Sequence, residues 1–251
     1  MMRIIAMINQ KGGVGKTTSV VNIGAGLARL KQRVLLVDLD PQAHLTYSLG
    51  VRAEELDTAV YDLLKGEATL EETLLTAHGL KLIPSSIDLA AAEIEFSTEV
   101  GREAFLKNVL QQVNEVDYVL LDCPPNLGLL TLNALTAAGE VLIPLQAEFL
   151  STKGLQQLLA MVEKVNQRVN PGLAIRGIIA TLYDQRLRLH NEVFENLREH
   201  FGKMLFRTFI RRNVALAEAA SFGQPIFEYA PNSHGARDYA ALCKEIKTMG
   251  K

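Results

Sequence analysis

The sequence predicts a doubly wound α/β fold, in which a mostly parallel β-sheet carries helices on both faces. Short runs rich in Val, Ile and Leu alternate with stretches of helical periodicity along the 251 residues. These runs show little apolar–polar alternation, as expected of parallel strands that are covered on both sides. No linker rich in Pro, Gly or Ser divides the chain. We therefore expect one domain over residues 1–251.

Seven apolar runs are predicted to be strands. In chain order they are Arg3–Ile8, Arg33–Asp38, Leu80–Pro84, Tyr118–Asp122, Glu140–Leu145, Ile175–Thr181 and Leu205–Ile210. Helical patterns fill the intervals, and over Lys153–Gln167 the apolar residues recur on one helical face. The region Val51–Glu99 is the least regular, and there we expect short helices that flank one strand.

Composition and charge exclude several classes of protein. The net charge of −2 and the pI of about 6.2 are unlike those of a strongly basic nucleic-acid binder. No apolar run is long enough to cross a bilayer, and Ile4–Ile8 lacks the form of a signal peptide. Cys123 and Cys243 are far apart and lack metal-ligand spacing. These features predict a cytoplasmic protein without a disulfide or zinc framework.

A glycine-rich segment directly follows the first predicted strand and opens the first helix. It reads Lys11-Gly12-Gly13-Val14-Gly15-Lys16-Thr17-Thr18. Its glycines let backbone N–H groups converge on phosphate oxygens, and the helix adds its positive N-terminus. Lys16 would neutralise the β- and γ-phosphates, and the Thr17 hydroxyl would bind Mg²⁺. A simple turn would need neither the Lys–Thr pair nor the strand–helix context, so the segment predicts an ATP and Mg²⁺ site.

Acidic residues end two predicted strands, at the edge where open α/β sheets bind ligands. Asp38 ends one strand and Asp40 follows it, and Asp122 ends another. We expect Asp38 and Asp122 to hold Mg²⁺ or its waters and Asp40 to position or activate the attacking water. A single acid could cap a helix, but three acids after two strands favour the catalytic interpretation. Cys123 is interpreted as a small buried apolar residue.

The loop K-G-G-x-G-K-T resembles the deviant Walker A loop of the ParA/MinD superfamily, and much of the remaining chain resembles ParA/Soj-type partition ATPases. The similar segments are Asp122–Gly128, Thr131–Ala138, Leu142–Leu159 (with Pro144-Leu145-Gln146-Ala147-Glu148) and Thr181–Ile246. The resemblance implies that Lys11 reaches the nucleotide of a second subunit and, with Lys16 and Asp40, acts in catalysis. It also implies that Arg211 and Asn213 contact the adenine.

The same resemblance implies a working cycle. ATP binding forms a sandwich homodimer, the dimer binds double-stranded DNA without sequence preference at the nucleoid, and a ParB-like partner stimulates hydrolysis and release. A local excess of basic residues includes Arg186, Arg188 and Arg212, which are the candidate DNA contacts. Ala215 and Gln224 stand where the family pattern has basic residues, which weakens the predicted phosphate contacts.

Three other functions stay open from the sequence. The chain could position a protein cargo on the nucleoid, where a partition ATPase would position a DNA cargo. A MinD-like ATPase at a membrane surface would need an amphipathic C-terminal helix, and the ending Leu242–Lys251 is short and weakly apolar. A metabolic ligase or reductase on this fold would need a substrate pocket or cluster ligands.

Overall fold

The computed structural model describes residues 2–146 and 152–249. Seven strands in these residues form one sheet. They are β1 (Arg3–Met7), β2 (Val34–Asp38), β3 (Leu75–Ala77), β4 (Leu80–Ile83), β5 (Tyr118–Asp122), β6 (Glu140–Gln146) and β7 (Ala174–Thr181). Their order is β3-β4-β2-β5-β1-β6-β7. All neighbouring pairs are parallel except β3 and β4 at one edge, which confirms the predicted mostly parallel sheet.

Twelve α-helices lie in the described residues. They are α1 (Lys16–Arg29), α2 (His44–Ser48), α3 (Val60–Lys65), α4 (Leu70–Thr73), α5 (Ala92–Glu95), α6 (Phe105–Leu110), α7 (Leu129–Ala137), α8 (Thr152–Arg168), α9 (Arg188–Phe201), α10 (Val214–Ser221), α11 (Ile226–Tyr229) and α12 (His234–Thr248). Short 3₁₀ segments cover Ala53–Glu55, Ile87–Ala91, Phe96–Thr98, Arg102–Ala104 and Gly202–Met204. The helix expected over Lys153–Gln167 is confirmed as α8.

Two apolar cores lie on opposite faces of the sheet, because successive side chains of a strand point to opposite sides. In β1, Ile5 and Met7 pack into the core shared with α1 and α12. Ala6, and Ile8 just beyond the strand, pack into the core shared with α7 and α8. β2 and β5 are buried along their whole length. This double burial explains the continuous apolar runs of the central strands.

The predicted strand Leu205–Ile210 is wrong. The segment runs beside β7 but makes only an isolated bridge at Leu205, although Ile210 N–H donates to the Ala180 carbonyl. The N–H groups of Arg207 and Thr208 donate instead to the Glu245 carboxylate on α12. Because these donors are bonded to a side chain, they cannot continue a ladder on β7. The other six predicted strands are confirmed to within one residue at each end.

The region Val51–Glu99 holds one strand more than predicted. β3 pairs with β4 in an antiparallel hairpin whose turn residues His78 and Gly79 have φ of 51° and 71°. Positive φ at both central residues is the geometry of a tight type I′ turn. β3 is only three residues long and partly exposed, so it lacks the apolar run that marks the other strands.

No helix among the described residues is long and apolar enough to span a membrane. The one-domain organisation over residues 1–251 stays a prediction.

Candidate active site

The loop between β1 and α1 adopts a conformation that needs glycine at two positions. Gly13 and Gly15 have φ of 74° and 86°, in the left-handed region that side chains disfavour. A Cβ atom built on Gly12 or Gly13 would meet nothing within 4 Å. The loop backbone therefore faces open space, as a phosphate cradle requires.

The neighbouring strands hold this loop in place. The Thr181 hydroxyl, at the end of β7, donates to the Val14 carbonyl over 2.8 Å. The Asn9 amide donates to the Pro144 carbonyl of β6 over 2.6 Å, and its oxygen accepts the Lys11 N–H. These bonds fix the cradle from both sides before any ligand arrives.

The first turn of α1 completes an anion site. Gly15, at the N-cap position, has no side chain to accept the N–H groups of this turn, which have no partner within the helix. The helix N-terminus carries a partial positive charge, and the Lys16 side chain adds a full one. Lys16 is the first residue of α1 and is only 8 % exposed. A polyphosphate is the ligand that this arrangement fits.

Asp122 lies directly beneath the first turn of α1. The Thr17 hydroxyl donates to its Oδ2 over 2.6 Å. Its Oδ1 is buried and has no hydrogen-bond partner among the described residues. An unpaired buried carboxylate oxygen is costly, and a divalent cation beside the Thr17 hydroxyl would satisfy it. No three His, Cys, Asp or Glu side chains in the described residues form a ready metal site. Such a cation would therefore take its other ligands from phosphate and water.

Two buried carboxylates lie side by side at the ends of adjacent strands. Asp38 of β2 pairs in register with Asp122 of β5, and both are essentially inaccessible to solvent. Burial raises the pKa of Asp122 well above its usual value, and the neighbouring Asp38 charge raises it further. Burial likewise raises the pKa of Asp38, although hydrogen bonds from Thr46 and Asp40 oppose the shift. Positive charge in the cradle would favour the ionised form of both.

Both carboxylate oxygens of Asp38 accept hydrogen bonds from the segment that follows β2. Its Oδ2 accepts the Thr46 N–H at 2.9 Å and the Thr46 hydroxyl at 2.8 Å, and its Oδ1 accepts the Asp40 N–H. These bonds fix α2 and the preceding turn against the end of β2. Sequence reasoning assigned Asp38 to Mg²⁺ or its waters, and that role stays a prediction.

Asp40 is half-buried and lines a cavity above the cradle, the main cavity of the site. Its Oδ1 accepts the Gln42 N–H over 3.0 Å, which holds the carboxylate at the cavity wall. The position is compatible with the predicted contact to an attacking water.

A cavity of about 510 Å³ opens above the cradle. Its lining combines the predicted phosphate and acidic residues with residues from distant elements. The lining residues are Gly12, Gly13, Gly15, Lys16, Thr17, Thr18, Asp40, Gln42, His44, Ser48, Pro125, Thr181, Leu182, Ile210, Asn213, Leu216, Ala217 and Tyr239. Leu182, Ile210, Leu216 and Ala217 form apolar wall that a flat base can pack against. None of these four is among the predicted site residues, although Leu216 and Ala217 closely follow Asn213 in a segment that resembles the family.

Of the two predicted adenine contacts, Asn213 lines the main cavity and Arg211 does not. Asn213 lines the cavity, and its side-chain oxygen accepts the Ala215 N–H to cap α10. Arg211 lies outside this lining, because its guanidinium forms a bidentate pair with the Asp238 carboxylate on α12. The structure thus brings Asn213 but not the Arg211 side chain to the cavity.

Lys11 points away from the main cavity. Its side chain is exposed, and its Nζ donates to Gln146 Oε1 over 2.9 Å. It lines a separate cavity of about 240 Å³ together with Val14 and residues of β6 and α8. Part of the similar segment Pro144–Glu148 borders this surface, but Ala147 and Glu148 lie outside the described residues.

The candidate DNA contacts lie near one another on an exposed surface. Arg186 and Arg188 have side chains that are 88 % and 93 % exposed and pair with Asp184 and Glu192, respectively. The Arg212 N–H donates to the Tyr183 carbonyl, which places this exposed residue beside the Asp184–Arg186 turn. Exposed ion pairs are weak, so phosphates could compete for these guanidinium groups.

The cysteines do not form a redox site in the structure. Cys123 and Cys243 are both buried and unpaired by disulfide. Burial raises the pKa of the Cys123 thiol well above its usual value, and the nearby Asp122 charge acts in the same direction. The thiol is therefore unreactive, in agreement with its interpretation as an apolar residue.

The parallel sheet, the glycine cradle at the start of α1 and the acidic strand ends define the class: the protein is a P-loop ATPase. A family model described as an AAA domain matches residues 2–175. The chain is 46 % identical over 253 residues to the sporulation initiation inhibitor protein Soj of Bacillus subtilis, covering all of both chains. It is also 46 % identical over 249 residues to the chromosome-partitioning ATPase Soj of Treponema pallidum, covering 98 % of this chain and 97 % of the relative.

A similar solved structure is that of cobyrinic acid a,c-diamide synthase from Mycobacterium smegmatis with bound ADP and magnesium. It is 39 % identical, has a TM-score of 0.86, and the match covers 97 % of this chain and 93 % of that one. The full-length relatives and the family model together settle the particular family. The chain belongs to the ParA/Soj family of chromosome-partitioning ATPases.

Proposed function

We propose that this protein is a single-domain ATPase that forms an ATP-dependent sandwich dimer, binds DNA without sequence preference and is reset by partner-stimulated hydrolysis in chromosome or plasmid partition. The observation that carries the proposal is the division of the two loop lysines. Lys16 is buried at the cradle, whereas Lys11 is exposed and directed away from it. The exposed position of Lys11 supports a contact between this lysine and the nucleotide of another subunit.

Different residues of the site bind the phosphates, hold the metal ion and position the attacking water. Backbone N–H groups of the loop, residues Lys11–Thr18, and the Lys16 ammonium hold the phosphates of ATP. Thr17, Asp122 and Asp38 would hold Mg²⁺ or its waters, and the bound ion would neutralise charge on the phosphate oxygens. Asp40 positions the attacking water. Lys11 of the second subunit would stabilise negative charge in the transition state.

In the proposed cycle the dimer acts in the cytoplasm on the nucleoid. Each subunit adds the surface of Arg186, Arg188 and Arg212, so dimerisation doubles the number of phosphate contacts. A ParB-like partner then raises the hydrolysis rate, and the separated subunits release the DNA.

Sedimentation with and without DNA tests the proposal, using ATP, ADP or no nucleotide across a salt series. We expect dimerisation and DNA retention with ATP alone, and retention that falls as salt rises. Lys11→Ala should bind ADP normally but remain monomeric with ATP. Lys107→Ala, which removes an exposed lysine of α6, is the matched control and should behave as the wild type. Equal retention with ATP and ADP would refute the proposal.

The similarity to cobyrinic acid a,c-diamide synthase from Mycobacterium smegmatis raises a metabolic alternative. A synthase couples ATP use to a second substrate, so its turnover should be indifferent to DNA and should not require a dimer. ATP turnover that neither DNA nor protein concentration alters would favour this alternative over partition.

A further inference from the structure

The carboxylate of Glu93, on α5, lies against the loop that joins β5 to α7. This β5–α7 loop comprises residues 123–128. The Asn126 amide faces Glu93 Oε1 at 3.5 Å. A Cβ atom built on Gly128 would come within 1.9 Å of the same oxygen and 3.0 Å of Oε2. The carboxylate thus occupies the space that a side chain at position 128 would fill.

Gly128 is not needed for backbone conformation. Its φ of −86° and extended ψ of −163° are accessible to any residue. The absence of a side chain there makes room for Glu93, whose carboxylate supplies the three nearest heavy atoms. Gly128 precedes α7, whose N-terminus has no side-chain cap from this residue. The Glu93 carboxylate therefore lies beside the residue that precedes the N-terminal end of α7.

The β5–α7 loop connects this contact to the active site. It begins next to Asp122, which accepts the Thr17 hydroxyl, and Pro125 lines the main cavity. At the far end, the Thr131 hydroxyl of α7 donates to the Asn126 carbonyl over 2.6 Å. A shift of the Gly128 end would therefore be transmitted over a short, doubly anchored segment to Pro125.

We propose that Glu93 is a positioning residue that sets the β5–α7 loop for ATP hydrolysis. It lies outside the main cavity and acts through Asn126 and Gly128. The inference depends on the ATPase activity proposed above, and it concerns the hydrolytic step rather than nucleotide binding. ADP is held by the cradle and α1, which Glu93 does not contact.

Two substitutions remove the same contact from opposite sides. Glu93→Ala deletes the carboxylate, and Gly128→Ala displaces it, because the clashing atoms are the end of a flexible side chain. We expect each variant to lower kcat about fivefold while the Kd for ADP stays within about twofold. The double variant should also lose about fivefold rather than the roughly 25-fold loss expected if the two effects were independent.

Two control substitutions make the same chemical changes at positions that do not take part in this contact. Glu95→Ala removes a carboxylate on α5 that pairs with the Tyr61 hydroxyl instead. Gly139→Ala adds a methyl group where nothing lies within 4 Å. Both controls should retain wild-type kcat, and all variants should keep the wild-type unfolding midpoint to within about 4 °C if each changes stability by less than about 1 kcal/mol.

Unchanged kcat in Glu93→Ala, losses that multiply in the double variant, or a parallel loss of ADP binding would each overturn the inference. A wild-type protein that does not hydrolyse ATP would instead refute the proposed function, so the two failures can be told apart.

Discussion

The hydrogen bond between Thr17 and Asp122 makes a quantitative prediction about stability and metal use. Thr17→Val keeps the shape of the side chain but removes the hydroxyl that donates to Asp122 Oδ2 at 2.6 Å. Oδ1 already has no partner among the described residues, so both oxygens of a buried carboxylate would then be unpaired. Losing a hydrogen bond to a charged group costs about 1.5–3 kcal/mol, a cost that applies at a pH where Asp122 is ionised. At about 2–4 °C per kcal/mol for a chain of this size, Tm should fall by about 3–12 °C.

The fall in Tm caused by Thr17→Val should depend on pH. Burial raises the folded-state pKa of Asp122 above its unfolded-state pKa. The contribution of this group to stability therefore decreases as the pH rises from the unfolded-state pKa to the folded-state pKa. The Thr17 hydroxyl favours the ionised form and so opposes this decrease. Without it, the carboxylate is harder to ionise in the fold. We therefore expect the Tm difference between wild type and Thr17→Val to widen as pH is raised.

Thermal unfolding in ATP, with Mg²⁺ or with a chelator, is the measurement. Mg²⁺ should add to the stabilisation by ATP in the wild type and in Thr17→Ser, the control that keeps a hydroxyl, but not in Thr17→Val. If Thr17→Val matched the wild type in Tm and in its response to Mg²⁺, Thr17 and Asp122 would not form the metal site.

Three further substitutions test the other assigned groups. Lys16→Ala should weaken ATP binding by about 100-fold or more in calorimetry, since a buried charge-assisted contact is lost; near-normal affinity would exclude Lys16 from the cradle. Asp40→Ala should keep ATP but hydrolyse it about 100-fold more slowly in single turnover, as expected when a water-activating group is removed; unchanged turnover would remove Asp40 from this role. Replacing Arg186 and Arg188 by Glu should reduce DNA retention at low salt and make the salt dependence shallower by about two counterions per subunit, or about four per dimer; the basic surface is misassigned if retention is unaffected.

Local patterns in the sequence determined the fold class and the phosphate site. Continuous apolar runs mark β2 and β5 because both faces of these strands are buried. The loop Lys11–Thr18 could be predicted to bind phosphate because its functional groups come from consecutive residues. No long-range contact is needed to recognise it. The acids at positions 38 and 122 are likewise visible as strand ends, and the register that places them side by side follows from parallel pairing.

Only the tertiary structure decided which distant groups meet. The segment Leu205–Ile210 is apolar enough for a strand, but Glu245, almost forty residues away, takes the N–H groups that a ladder would use. Arg211 lies two residues from the cavity-lining Asn213, yet Asp238 holds its side chain elsewhere. The contact of Glu93 with Gly128 joins residues 35 positions apart. Such outcomes depend on competition among partners brought together by folding, which the spacing of residues along a chain does not encode.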